Sequence, residues 1–252
     1  MKNYLSVFGL IARGSIYKVL VCYILLVTSE ILIFSAKLNE ALKLYSLDFS
    51  MKQFETLVDD SFISWCFAIC FILIVVALCL MGSEYSNSQI SYTVKRLRIS
   101  ERDLFFCQAA YNIIIFISLW AVQAFTVCIL SFQYIHLAPE EVIGNQTIFL
   151  AFYRNDLLHN ILPISDIWVW IRNIFTAIAL GFTAAEFPYK QRRKKIGATI
   201  IAFALYTICF FTKELANTFN VFITIVVSIA IIGETLYTVY KQDEEVSDNG
   251  EN

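Results

Sequence analysis

Proline, glycine and charge are all scarce in this chain. Its 252 residues include three prolines and eight glycines, too few for a loop-rich or disordered protein. Only 16% are Asp, Glu, Lys or Arg, against roughly a quarter in a soluble domain. Histidine occurs twice, as His136 and His159, and neither is spaced with a second ligand as a metal site requires. The sequence contains no GxxxxGK[ST] phosphate loop, so it lacks that device for holding a nucleotide. HExxH, GxSxG and CxxC are missing too. An enzymatic reading therefore has little to stand on, and neither a catalytic residue, a metal site nor a cofactor is expected in the chain.

What the chain has instead is apolar length: 58% of it is hydrophobic. About 20 apolar residues in a helix cross the hydrocarbon core of a bilayer. Six stretches qualify, at 19–36, 62–81, 109–132, 167–187, 196–211 and 221–240. The fifth is the shortest. They are apolar on most faces, as lipid-embedded helices are. The expected fold is therefore all-α: one polytopic membrane domain over 1–241 with six transmembrane helices. Residues 1–17 mix Tyr4, Leu5, Phe8 and Ile11 with Lys2, Asn3 and Arg13, a pattern that predicts a short interfacial helix ahead of the first span. Residues 242–252 carry five acids and read as a disordered tail. The segment 147–162 is expected to lie on the outer membrane surface. All seven cysteines fall in or beside apolar runs, where a thiol packs as a small hydrophobe.

Lys and Arg sort by side. With the N-terminus inside, thirteen lie in inner segments and five in outer ones. The positive-inside rule therefore places both termini in the cytoplasm. The two larger outer loops are rich in acids, and Trp168 and Trp170 stand where an outer aromatic belt is expected.

Three charges fall inside spans: Glu30, Arg172 and Glu234. Each costs about 2.5–3.5 kcal/mol at a helix centre on insertion scales. One reading has each snorkel to its nearer interface. The other pairs Glu30 with Arg172, which lie at similar depth in the first and fourth spans. Asn112, Gln123 and Asn173 are polar enough to join helices or to line a path.

The loop after the second span begins Gly82-Ser-Glu84-Tyr85 and ends Val94-Lys95-Arg96-Leu97-Arg98-Ile99-Ser100-Glu101-Arg102-Asp103-Leu104. It resembles the membrane-spanning permease subunits of bacterial ABC exporters, the type-2 ABC permeases. In that family the second span ends in a small residue and a Glu. A short helix follows, and then a run like R-L-P-[IV]-S-R-x-x-[IL]. Glu84, Arg96, Leu97, Ile99, Ser100 and Arg102 fall near this pattern. Ser88-Gln89 stands where the family has Gly-Thr, and Arg98 stands where it has Pro. The stretch IRNIFTAIALGF and the later YKQRRKK are also similar to the family's fourth span and its basic exit loop.

The resemblance implies a permease half in the cell membrane that couples to a separate ATPase through loop 82–106. Glu84, Tyr85, Arg96, Arg98, Ser100 and Arg102 would form the coupling segment. It further implies that ATP and Mg are bound by two ABC ATPase subunits, that a second permease, identical or homologous, completes the pathway, and that the chain exports a substrate. The lipid bilayer is the remaining partner, and no nucleic acid is expected. The alternative is a non-transporting membrane accessory or immunity protein.

Overall fold

The computed structural model describes residues 2–48, 51–80, 100–139, 142–144, 146–164, 166–193, 195, 197–212 and 218–250. Nine α-helices, and no strand, occur among the described residues: α1 (Lys2–Asp48), α2 (Phe54–Asp60), α3 (Ile63–Leu80), α4 (Glu101–Leu137), α5 (Thr147–Arg154), α6 (Asp156–Ile161), α7 (Ile167–Arg192), α8 (Thr199–Thr212) and α9 (Thr218–Gly250). Five of them, α1, α3, α4, α7 and α9, are long and apolar enough to cross a membrane. Helix α8 is apolar, but its 14 residues reach only about 21 Å, which is short of a full crossing. The fifth expected span is thus the one that falls below the length criterion.

Two expectations about the ends change. The interfacial helix expected over 1–17 is not a separate element, because α1 runs unbroken from Lys2 to Asp48. No proline interrupts the run, and an established helix extends at little cost per residue. For the same reason the acidic tail does not begin as coil. Helix α9 continues through it to Gly250.

Helices α1 and α4 lie side by side and run parallel. Ser15 meets Tyr111 (2.6 Å), Tyr23 meets Ser118 (2.7 Å), Glu30 meets Gln123 (3.0 Å) and Ser35 meets Gln133 (2.8 Å). Helix α3 returns against α1, with the Cys70 thiol donating to the Cys22 carbonyl at 3.5 Å. Helix α7 runs antiparallel to α4 on another side, and α9 packs along α7. The first residues of α4 and the last residues of α7 meet at one end of the bundle, through Glu101 and Arg193.

Side chains from α1, α3, α4, α7 and α8 fill one core, which includes Leu26, Phe71, Leu119, Leu180 and Phe203. A second core lies towards the other end, where α1 and α4 outrun the rest. There Phe34, Leu38, Leu130 and Tyr134 pack with Phe54 and Leu57 of α2, Phe152 of α5 and Leu158 of α6. The 147–162 segment folds into α5 and α6 and buries Ala151, Phe152, Leu157, Leu158 and Ile161 against these helices. A seven-residue helix, α2, precedes α3, and Phe62 between them takes a left-handed backbone (φ 52°), at a cost of roughly 1–2 kcal/mol.

Helix α7 comes close to α4 at Gly181. A Cβ built there would stand 2.3 Å from Ile113 Cγ1 and 2.9 Å from the Ile113 backbone nitrogen. Among the described residues, nothing lies within 4 Å of a Cβ built at Gly233 of α9. Gly181→Ala should therefore push α7 from α4 and cost about 1–3 kcal/mol. Gly233→Ala should be neutral or stabilise by up to about 1 kcal/mol through helix propensity. Thermal unfolding of the detergent-solubilised protein checks both; equal midpoints would refute the close approach.

Candidate functional site

Of the residues expected in the coupling loop, Glu84, Tyr85, Arg96 and Arg98 lie outside the described residues. Ser100 and Arg102 lie within them. Ser100 is the N-cap of α4, and its Oγ accepts a hydrogen bond from the Asp103 backbone N–H at 3.1 Å. Glu101 and Asp103 occupy the first turn, where a negative charge suits the helix dipole. The S-x-x-D spacing is a helix-start signal legible in sequence.

That helix start is tied to two other helices. Arg193, just past α7, donates from Nε (3.1 Å) and Nη2 (3.0 Å) to Glu101 Oε2. Arg102 Nη2 donates to the Tyr240 hydroxyl at 2.8 Å, and its guanidinium carbon lies 4.1 Å from the Tyr240 ring centre. One turn further in, Phe105 packs edge-on against Tyr189 and, with Ala185 and Val239, forms a small buried cluster. Lys190 is bonded to the buried Glu186 at 2.5 Å, with the acid on the N-terminal side, the favoured i,i+4 order. Glu101 and Arg193 lie in the two stretches that carry the family resemblance, but their pairing, and the part played by Tyr240, are not legible in the sequence. Only the packing brings the three helix ends together.

A second polar region lies deep in the bundle. Glu30 is fully buried. Its two carboxylate oxygens both accept from Gln123 Nε2, at 3.0 Å each. Gln123 Oε1 is also buried and has no hydrogen-bond partner among the described residues. Arg172 is buried as well; its Nε and Nη2 donate to Asn173 Oδ1 (3.1 and 2.8 Å), and Nη2 also donates to Asn160 Oδ1 (3.2 Å). Asn173 Nδ2 completes the group by donating to the Asn160 carbonyl at 2.8 Å.

Glu30 and Arg172 are thus bound to different residues rather than to each other. Helix α4 accounts for this: α1 packs on it from one side and α7 from another, so Gln123 of α4 reaches Glu30 first. Gln123 and Asn173 were legible as polar residues in spans. Asn160 was not, because its depth depends on how α6 tucks against α4. Trp120 Nε1 fixes that docking by donating to the Ile161 carbonyl at 2.7 Å. Trp120 also meets Trp170, with ring centres 5.1 Å apart.

Beside this polar group is a cavity of about 40 Å³. Helices α3, α4, α7 and α8 form its walls, with Phe71, Phe116, Trp120, Asn173 and Ala177 among the lining residues. No group of three or more metal-ligating side chains occurs among the described residues.

No family model, curated protein or solved structure matches this chain.

The Glu30–Gln123 contact has a measurable consequence. Gln123→Leu removes the partner of a buried carboxyl group and should destabilise the protein by about 1–3 kcal/mol. Replacing both residues, Glu30→Leu with Gln123→Leu, should recover most of that loss, because neither polar group then stays buried alone. Unfolding midpoints of the two single variants and the double variant give the coupling. A double variant as unstable as the sum of the singles would count against the contact.

Proposed function

We propose that this chain is the permease subunit of an ATP-driven ABC exporter, one half of a substrate pathway coupled to a separate ATPase through loop 82–106. The observation that carries the reading is the junction at the end of that loop. The segment enters α4 through a capped first turn, and that turn is bonded to the end of α7 by Glu101–Arg193 and to α9 by Arg102–Tyr240. A displacement of the loop is then delivered to three long helices at once, which suits rigid-body rocking of a bundle. The motif around Glu84 and Arg96–Arg102 supplies the family resemblance. Basic residues of the loop suit an acidic ATPase surface, with electrostatic attraction setting the approach. Two ATPase subunits and a second permease, identical or homologous, complete the assembly, and the ATPases bind the ATP and Mg.

In this reading the bundle has six crossings, α8 being the short one, and both termini face the cytoplasm of a cell whose plasma membrane holds the protein. Fluorescent-protein fusions at either terminus should then be fluorescent, whereas alkaline phosphatase fused at the same points should be inactive. The opposite pattern at either terminus overturns that orientation.

Coupling is tested by co-expressing the chain with the ATPase encoded beside it and purifying through a tag on the chain. The ATPase should co-purify, and Glu84→Ala combined with Arg102→Ala should reduce its recovery. Tyr240→Phe serves as a control: it removes the hydroxyl bonded to Arg102 while leaving the loop's own side chains in place. If no ATPase is recovered, or if the double variant recovers it undiminished, the coupling role of this loop fails and the accessory or immunity reading gains.

A further inference from the structure

The cavity between α3, α4, α7 and α8 has walls that are almost wholly apolar. Its few polar side chains already have partners. Asn173 is bonded at its oxygen to Arg172 and at its nitrogen to the Asn160 carbonyl. The Thr176 hydroxyl donates to the Arg172 carbonyl, and the Thr207 hydroxyl to the Phe203 carbonyl, each at 2.8 Å. The Trp120 indole N–H is taken by Ile161. A buried water needs two to four polar partners, and apolar cavities without them stay dry yet accept apolar molecules.

The surroundings say which apolar molecule is at hand. Three of the four walls belong to helices long and apolar enough to span a bilayer. The cavity is only partly enclosed. The outer faces of the same helices expose aliphatic side chains, including Ile69 and Leu73 of α3 and Leu205 of α8. Outside such faces the medium is hydrocarbon. The size of the space suits the end of a chain rather than a whole one.

We infer that this cavity binds the end of an acyl chain from a bilayer phospholipid, seated among α3, α4, α7 and α8 against Phe71, Phe116 and Trp120. The site stands independently of the transport reading, since it rests on wall chemistry and the bilayer alone.

Trp120 makes the site observable. Trp65, Trp168 and Trp170 are replaced by Phe, and the variant is reconstituted into phosphatidylcholine vesicles whose acyl chains are unlabelled or carry bromine at mid-chain. Bromine quenches indole fluorescence on contact. The brominated chains should quench Trp120, and Ala177→Leu, which fills the space, should reduce that quenching at least about twofold. Leu180→Phe fills the same space from another point and serves if Ala177→Leu does not fold. A variant retaining Trp168 alone, which is exposed near a helix end, is measured in vesicles brominated close to the headgroup, reports reconstitution there, and should be quenched equally with and without the filling substitution. Absence of quenching at Trp120, or quenching that neither filling substitution changes, would overturn the proposal.

Discussion

The parallel packing of α1 on α4 is the constraint on which the rest of the bundle depends. Inside a bilayer, burying apolar surface does not choose between helix registers, because lipid tails are as apolar as leucine. Polar contacts do choose. Four of them, from Ser15–Tyr111 at one end to Ser35–Gln133 at the other, recur every one or two turns along the pair. A slip by one residue would break all four and leave Glu30 and Gln123 buried without each other. With that register set, α3 is placed on α1 through Cys70 and Cys22, and α4 presents its other side to α7. There Gly181 lets the two backbones approach, and Asn112 Nδ2 reaches the Gly181 carbonyl at 3.4 Å.

The same two helices explain the second core. Helix α1 has 47 residues and α4 has 37, or about 70 and 55 Å of helix, against a hydrocarbon core of about 30 Å. Their surplus length has to be covered where it stays apolar. Leu38 and Tyr134 lie just past the expected spans and Phe34 and Leu130 at their ends, and α2, α5 and α6 close over all four. Phe54 of α2 sits between Phe34 (ring centres 5.8 Å apart) and Tyr134 (5.4 Å), and the Tyr134 hydroxyl donates to the Lys52 carbonyl at 3.1 Å. At the periphery Lys52 bonds Asp60 at 2.5 Å. That carboxylate raises the Lys52 ammonium pKa above its ordinary range.

The all-helical class and the five long spans were legible because hydrophobic length is a property of one segment read alone. Ile63–Leu80 illustrates this: its ends agree with the apolar run to within a residue. The features that were not legible depend on two segments at once. The sequence of α1 contains an apolar stretch preceded by a mixed one, and nothing in it states that one rod spans both. The acid of Glu30 and the cation of Arg172 invited pairing by depth, but depth is one coordinate of three, and α4 stands between their helices. Asn160 belongs to a segment read only as lying on the outer membrane surface, and it is α6 that carries it to Arg172. Ser100 is the opposite case. Its capping role follows from S-x-x-D on sequence spacing alone, whatever the loop before it does.

The two polar regions differ in a way that bears on motion. Deep in the bundle, Glu30, Gln123, Arg172, Asn160 and Asn173 are buried, so each broken contact strands a polar group in a medium that cannot replace it. Such contacts hold one arrangement firmly. At the end of the bundle, Glu101 is half exposed in its pair with Arg193, and exposed ion pairs contribute at most about 1 kcal/mol. Water can take over either partner there. The helix ends are therefore free to exchange contacts at little cost while the middle keeps its register. On the permease reading, that gradient determines how a push from outside the chain acts. It would carry the ends of α4, α7 and α9 together through Glu101–Arg193 and Arg102–Tyr240, which can trade partners with water as they move, while the buried polar contacts of α4 and α7 keep the middle in register.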